Sequence, residues 1–155
     1  MDTLREPSLV ATLVTTGLMA GIYLAFAVSV LPGLGRTEDR TFVAAMRGMN
    51  AAILNPVFFV VFLGPLPLGI LAVVSRVPDH DGLGWVVLAL VLYVGTLGIT
   101  GAVNVPLNDR LDSTGPGTEN ESAAREIFER RWSTWNVVRT LLCTASFVSL
   151  VPALS

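Results

Sequence analysis

The sequence predicts an all-α integral membrane protein built as an antiparallel four-helix bundle. Three observations carry that prediction. Of 155 residues, 52% are hydrophobic and only 14% charged, where an ordinary soluble domain carries about 25% charged residues. Mean hydropathy is +0.66. Charge also vanishes in long runs: Ser8 to Gly35, Met49 to Ser75 and Leu83 to Asn108 contain none, and Val137 to Ser155 contains only Arg139. About 20 apolar residues at ~1.5 Å rise cross a hydrocarbon core, and each run is near or above that length.

The first run predicts a helix over 9–31. Gly17, Gly21 and Ala25 recur in it at four-residue spacing, and small residues let helices approach closely in lipid. That face is therefore a candidate contact with another span or, in a homo-oligomer, with a second copy. A cleaved secretory leader ending at Ala25-Phe26-Ala27 is the competing reading. The apolar run continues past it to Leu31, and Arg5 is the sole base before it. The second helix is predicted over 52–75. Pro56, Pro65 and Pro67 lie in or beside it. Prolines free backbone carbonyls and bend a helix, so this stretch is expected to face other helices or a cavity. The third helix is predicted over 84–106. The stretch 112–121 is turn-rich, after which Ser122 to Trp132 reads as helical and leads into a fourth helix over 134–152.

Four spans place both termini and the 76–83 loop on one side, with Arg5 and Arg76. The connections 32–50 and 107–133 lie on the other side, with Arg36, Arg40, Arg47, Arg110, Arg125, Arg130 and Arg131. The positive-inside rule puts those connections in the cytoplasm and both termini outside the cell membrane. The net charge of −2 offers no basic footprint for nucleic acid. One cysteine, Cys143, and one histidine, His80, exclude an internal disulfide, a cysteine-ligated metal and a site closed by two imidazoles. The expectation is no metal and no cofactor. A haem bound across an oligomer, with one ligand per subunit, stays open.

Polar groups inside a membrane are costly and call for a partner or a purpose. Asn104 and Asn108 lie four apart on one helix face, and Pro106 between them frees the carbonyl of Ala102. Thr100 extends the stripe. These amides read either as helix-joining groups or as a site. In the opening of helix four, Trp132, Trp135, Asn136 and Arg139 are expected on one face. The tryptophans could be interfacial anchors and Arg139 could snorkel to the headgroups; alternatively, Arg139 points inward toward an anionic oxygen. Asn50 and Asn55 bracket the approach to helix two. All of these fall at one membrane depth, where they outline a pocket with an apolar body and a few polar groups. Asp109 and Asp112 are the nearest carboxylates. They are read as lying off the Asn104–Asn108 face, with Asp109 a solvated residue, and His80 as a loop residue.

The segments GLMAGIYLAFAVSVLPGL, MNAAILNPVF, NVPLNDRL and RWSTWNVVRT are similar, in order and spacing over nearly the whole chain, to the small four-helix membrane family that includes the fungal anthrone oxygenases. The resemblance implies a four-helix fold. It also implies cofactor-free oxidation, by molecular oxygen, of a flat, apolar, enolisable molecule such as an anthrone. In that reading Asn104, Asn108, Asn136 and Arg139 stabilise the developing oxyanion, while Asn50, Asn55, Trp132 and Trp135 hold the substrate. The alternative is a non-enzymatic membrane scaffold or lipophile-binding subunit whose asparagines only join helices. A transporter fits less well, because no acidic residue sits mid-span.

Overall fold

The structure, a computed structural model, describes residues 2–78, 80–114 and 121–154. Every regular element among them is helical. Helix α1 (Asp2–Ala25) continues through a five-residue π turn, Phe26–Val30, into α2 (Leu31–Leu34). Helix α3 (Asp39–Ala52) follows. The second span is α4 (Pro56–Leu63) and α5 (Pro65–Arg76). The third is α6 (Leu83–Ile99), a π turn at Thr100–Asn104, and α7 (Val105–Ser113). Helix α8 (Glu121–Leu150) forms the fourth and closes with a 3₁₀ turn, Val151–Leu154. Four stretches are long and apolar enough to cross a membrane: Leu4–Leu34, Pro56–Arg76, Leu83–Ser113 and Glu121–Leu154.

The two π turns share a cause. Each ends two residues before a proline, Pro32 and Pro106. Proline has no N–H to donate, and its ring collides with the carbonyl four residues back. The backbone relieves this by widening for one turn. The N–H of Leu31 reaches the carbonyl of Phe26, and that of Val105 reaches Thr100, each five residues back. Such π turns are frequent at functional sites, and both of these lie at the same end of the bundle.

The second span starts at Pro56 because Asn55 caps it. The Asn55 side-chain oxygen accepts from the Phe58 N–H at 3.0 Å, and its amide donates to the Ala52 carbonyl at 2.9 Å. Pro56 then takes the first helical position, where a missing N–H costs nothing. Of the residues predicted as the first turn of this span, Ala52 ends α3 and Ile53–Asn55 form the turn before Pro56. Pro65 and Pro67 interrupt the ladder beyond Gly64. There the Tyr93 hydroxyl, from the third span, donates to the Phe62 carbonyl at 2.6 Å. Pro65 faces the bundle at this point, as lipid requires of irregular backbone, whereas Pro56 and Pro67 are exposed.

The spans form a closed ring. The first packs on the second and fourth, and the third packs on the second and fourth. The core has three layers along the axis. Leu9, Ala72, Val86 and Leu150 fill the end that holds the termini. Met19, Tyr23, Tyr93 and Cys143 fill the middle. Phe42, Met46, Leu107, Leu111, Phe128 and Trp132 fill the other end. Outside, large apolar residues such as Val57, Val91 and Leu141 are exposed, the surface that lipid would cover.

Helix α3 lies within the connection between spans one and two and is fastened to α8. Arg125 holds Asp39 at 2.9 Å and Glu129 at 2.7 Å, donates to the carbonyls of Thr37 and Gly35, and sits over the Phe42 ring. Arg47 donates to the Leu111 carbonyl at 2.7 Å, tying α3 to α7. At the opposite end Arg76, expected in a loop, is fully buried and donates to the carbonyls of Ala153 and Arg5.

The Gly17/Gly21 face, expected as a contact with another helix or another copy, divides in two. Gly17 packs inside the chain: a Cβ there would lie 2.9 Å from the Phe147 ring. Gly21 meets nothing within 4 Å. Gly17→Leu is therefore expected to destabilise the bundle by about 1–3 kcal/mol through overpacking, and Gly21→Leu to stay within about 0.5 kcal/mol. Thermal unfolding of the two variants in one detergent measures the difference.

Candidate functional site

The polar ends of all four spans enclose a cavity of about 240 Å³. That is room for roughly eight waters at ~30 Å³ each, just under the ~300 Å³ at which small-molecule sites begin. Six rings line it: Tyr23 and Phe26 from the first span, Phe58, Phe59 and Phe62 from the second, and Trp132 from the fourth. Phe58 and Phe62 stack nearly parallel, 5.2 Å between centroids. Phe26 leans on Trp132 at 5.7 Å. The result is a slot with aromatic walls, suited to a flat molecule.

The polar wall is built on α8 and the third span. Positions 132, 136 and 139 recur at helical spacing, which turns all three inward. The Asn136 amide donates to the Tyr23 carbonyl at 3.1 Å, and its oxygen accepts from Arg139 Nη2 at 3.0 Å. Arg139 Nη1 donates to Thr100 Oγ1 at 3.1 Å. Its guanidinium carbon lies 4.6 Å from the Tyr23 ring centroid and 5.3 Å from that of Trp132, within reach of cation–π attraction. Arg139 therefore points into the bundle and does not snorkel. Among the described residues no carboxylate pairs with it.

The third span supplies amides. Asn104 donates weakly, at 3.5 Å, to the Trp132 carbonyl, and Asn108 accepts from the Trp132 indole N–H at 2.8 Å. The π turn that Pro106 imposes carries Asn104 as its last residue, and Asn104 is buried. One of the two amides thus joins helices, as a packing role predicts. The other is only half used.

Several buried polar atoms here make no close hydrogen bond. Asn50 Nδ2, Asn104 Oδ1, the Tyr23 hydroxyl and Arg139 Nε are all orphaned, and all four side chains line the cavity. Two other side chains in the described structure, Thr16 and Arg76, share that condition elsewhere. An unpaired buried polar group costs about 1–3 kcal/mol, and such groups in a native fold point to a missing water, ion or ligand. Four of the six such side chains line one chamber. A group that satisfied them would accept from Asn50 and Arg139 and donate to Asn104.

The structure brings together Asn50, Asn104, Asn108, Trp132, Asn136 and Arg139 around this chamber. It leaves out two residues. Asn55 is committed to capping α4. Trp135 lies about 60° round the helix from Trp132 and lines a shallow outer groove with Arg130, Arg131 and Thr134. Asp109 and Asp112, read from the sequence as lying off the face, both line the mouth of the cavity and are exposed. Asp112 falls one turn beyond Asn108 on the same stripe, so its position was legible from i, i+4 spacing. Tyr23 went unremarked in the sequence although it is the sole hydroxylated ring in the first charge-free run. The rule that polar groups inside a membrane need a purpose would have found it. Among the described residues no three His, Cys, Asp or Glu side chains come together to hold a metal.

Fold and site together define a class: small four-span membrane bundles that enclose an aromatic slot with a guanidinium-and-amide wall. Within that class the assignment is specific, since the sequence profile of the anthrone oxygenase family matches residues 57–149. This chain belongs to the anthrone oxygenase family. The matched region contains Asn104, Asn108, Trp132, Asn136 and Arg139, and leaves Tyr23 and Asn50 outside it. No curated protein and no solved structure matches the chain.

Asn136→Ala is expected to lower stability by about 1.5–3 kcal/mol, because it removes a hydrogen bond to a buried cation. Asn50→Ala, which breaks no bond of its Nδ2, is expected to stay within about 0.5 kcal/mol. Thermal melts of both variants measure this, and equal losses would contradict the assignment of Asn136 as structural support and of Asn50 Nδ2 as an unengaged donor.

Proposed function

We propose that this protein is a membrane-embedded oxygenase acting on a flat, apolar, enolisable substrate of the anthrone type, with molecular oxygen as oxidant. The observation that carries the reading is the set of four buried polar atoms without a hydrogen bond, all on side chains that line one aromatic-walled chamber. Family membership supports it. A lipid-soluble substrate enters between Leu54 and Phe59, both exposed on the lipid side and both lining the cavity. Its rings stack in the aromatic slot, and its carbonyl oxygen lies against the polar wall.

The net reaction turns a methylene and O₂ into a carbonyl and water. A base removes one methylene proton, and the resulting carbanion is delocalised onto the ring carbonyl as an enolate. That electron-rich anion passes one electron to O₂. The two radicals then join in a carbon–oxygen bond, the peroxide anion takes up a proton from water, and the hydroperoxide formed loses water to leave the new carbonyl. In this sequence the protein must lower the cost of the enolate. Donors fixed in a water-poor chamber do this effectively, because they need no reorganisation as charge develops. Arg139 supplies the positive charge, Asn136 and Thr100 hold it in place, Asn104 and Asn50 take the polar ends of the substrate, and Trp132, positioned by Asn108, forms one wall. A carboxylate at the mouth, Asp109 or Asp112, takes the proton and passes it to water. By arginine counts the mouth opens to the cytoplasm and both termini lie outside.

A scaffold or carrier that binds a lipophile without chemistry makes a different prediction. Protein in lipid nanodiscs is expected to accelerate oxygen consumption by emodin anthrone. Arg139→Gln and Asn104→Ala are each expected to lower kcat/KM by about 10²–10³-fold. Saturable binding with no oxygen uptake would leave the carrier and overturn the oxygenase.

A further inference from the structure

Two tyrosines are buried in the middle layer of this bundle, and they are treated differently. The Tyr93 hydroxyl is committed to the Phe62 carbonyl at 2.6 Å. The Tyr23 hydroxyl makes no close hydrogen bond, although Tyr23 is only 5% exposed. Its polar neighbours are Thr100 and Arg139. Thr100 is already engaged, donating to the Thr96 carbonyl at 2.9 Å and accepting from Arg139 Nη1 at 3.1 Å. Arg139 lies over the Tyr23 ring, 4.6 Å from centroid to guanidinium carbon, and its own Nε–H is unpaired. One wall of the cavity therefore offers a phenol O–H and a guanidinium N–H together. Neither makes a close hydrogen bond within the described chain, and both are shielded from water.

A guanidinium can only donate. A phenol beside it does best by donating to the same acceptor, and the adjacent positive charge favours an acceptor that is itself negative. We propose that the Tyr23 hydroxyl and the Arg139 Nε–H form a two-donor clamp for an ionised aromatic oxygen, so that the cavity selects phenolate or enolate over the neutral form. The proposal rests on the oxygenase reading only in making the bound oxygen that of the deprotonated substrate. The preference for an ionised ligand stands apart from turnover. It also gives the first span, which lies outside the matched family region, a direct contact with the ligand and hence a catalytic role.

Alizarin tests this, because its neutral and ionised forms differ in visible absorbance and it is flat and tricyclic. Wild-type protein in nanodiscs is expected to lower the pH midpoint at which bound alizarin ionises, relative to empty nanodiscs. Tyr23→Phe keeps the ring under Arg139 and loses the donor. It is expected to lose roughly 10–100-fold of the preference for the ionised form, the size of a hydrogen bond to a charged group. Tyr93→Phe is expected to melt earlier yet keep the midpoint. The chain has two tyrosines, so fluorotyrosine incorporated into the Tyr93→Phe background labels Tyr23 alone. Its more acidic O–H is expected to lower the midpoint further, and this holds as a test if Tyr23→Phe does not fold. A midpoint indifferent to both changes at position 23, or no alizarin bound by the wild type, overturns the clamp. An intact Tyr23-dependent preference with no oxygen uptake from anthrones would instead overturn the oxygenase reading alone.

Discussion

A guanidinium held inside a lipid-facing bundle, with no carboxylate paired to it among the described residues, is the constraint on which the rest of this structure depends. Arg139 is buried, and its charge must be offset by dipoles and rings rather than by a counterion. Asn136 and Thr100 satisfy two of its nitrogens, and Tyr23 and Trp132 offer their faces. Each supporting group is itself fixed by another: Asn136 by the Tyr23 carbonyl, Trp132 by Asn108. Breaking one partner of a buried charge usually costs more than the interaction itself contributes. The chain of contacts across the first, third and fourth spans is therefore cooperative, and it leaves Arg139 Nε without a close hydrogen bond among the described residues.

The prolines set the geometry that makes this possible. Pro32 and Pro106 each force a π turn at the level of the cavity, and Pro56 with Asn55 ends α3 and starts the second span at the same level. Regular helices packed by small residues would close the interior. Here three of the four spans change register or begin anew beside the chamber, and space remains between them. Below it, α3 is clamped to α7 and α8 through Arg47 and Arg125, which gives the mouth a rigid rim that carries Asp109 and Asp112.

Much of this was readable from the residues. The three charge-free runs, and a fourth interrupted only by Arg139, specify the spans by their length and apolar character. The cluster at Asn104, Asn108, Asn136 and Arg139 was visible because polar groups inside lipid stand out against their surroundings. Two other placements turned on helix phase, which has to be followed turn by turn. Asp112 seemed off the face only because the stripe was followed for one turn and no further. Trp135 seemed to share the Trp132 face, yet three residues of rotation carry it to an outer groove. Asn55 looked like a ligand and proved to be a cap, since an Asn-Pro pair before an apolar run is also a helix start. Tyr23 was hidden by chemistry: an aromatic ring among apolar neighbours passes as core until its hydroxyl is found unpaired.

The central claim is that the chamber holds a flat aromatic ligand with an oxygen against Tyr23 and Arg139. An experimental structure of the protein in lipid with a bound anthraquinone tests it most directly. The account predicts the tricycle between Trp132 and the Phe58–Phe62 stack, one oxygen within hydrogen-bonding distance of both the Tyr23 hydroxyl and Arg139 Nε, and Asn104 Oδ1 paired with a ligand donor or an ordered water. A chamber closed by side chains, with those orphaned atoms paired to one another and the anthraquinone bound elsewhere or not at all, would contradict it.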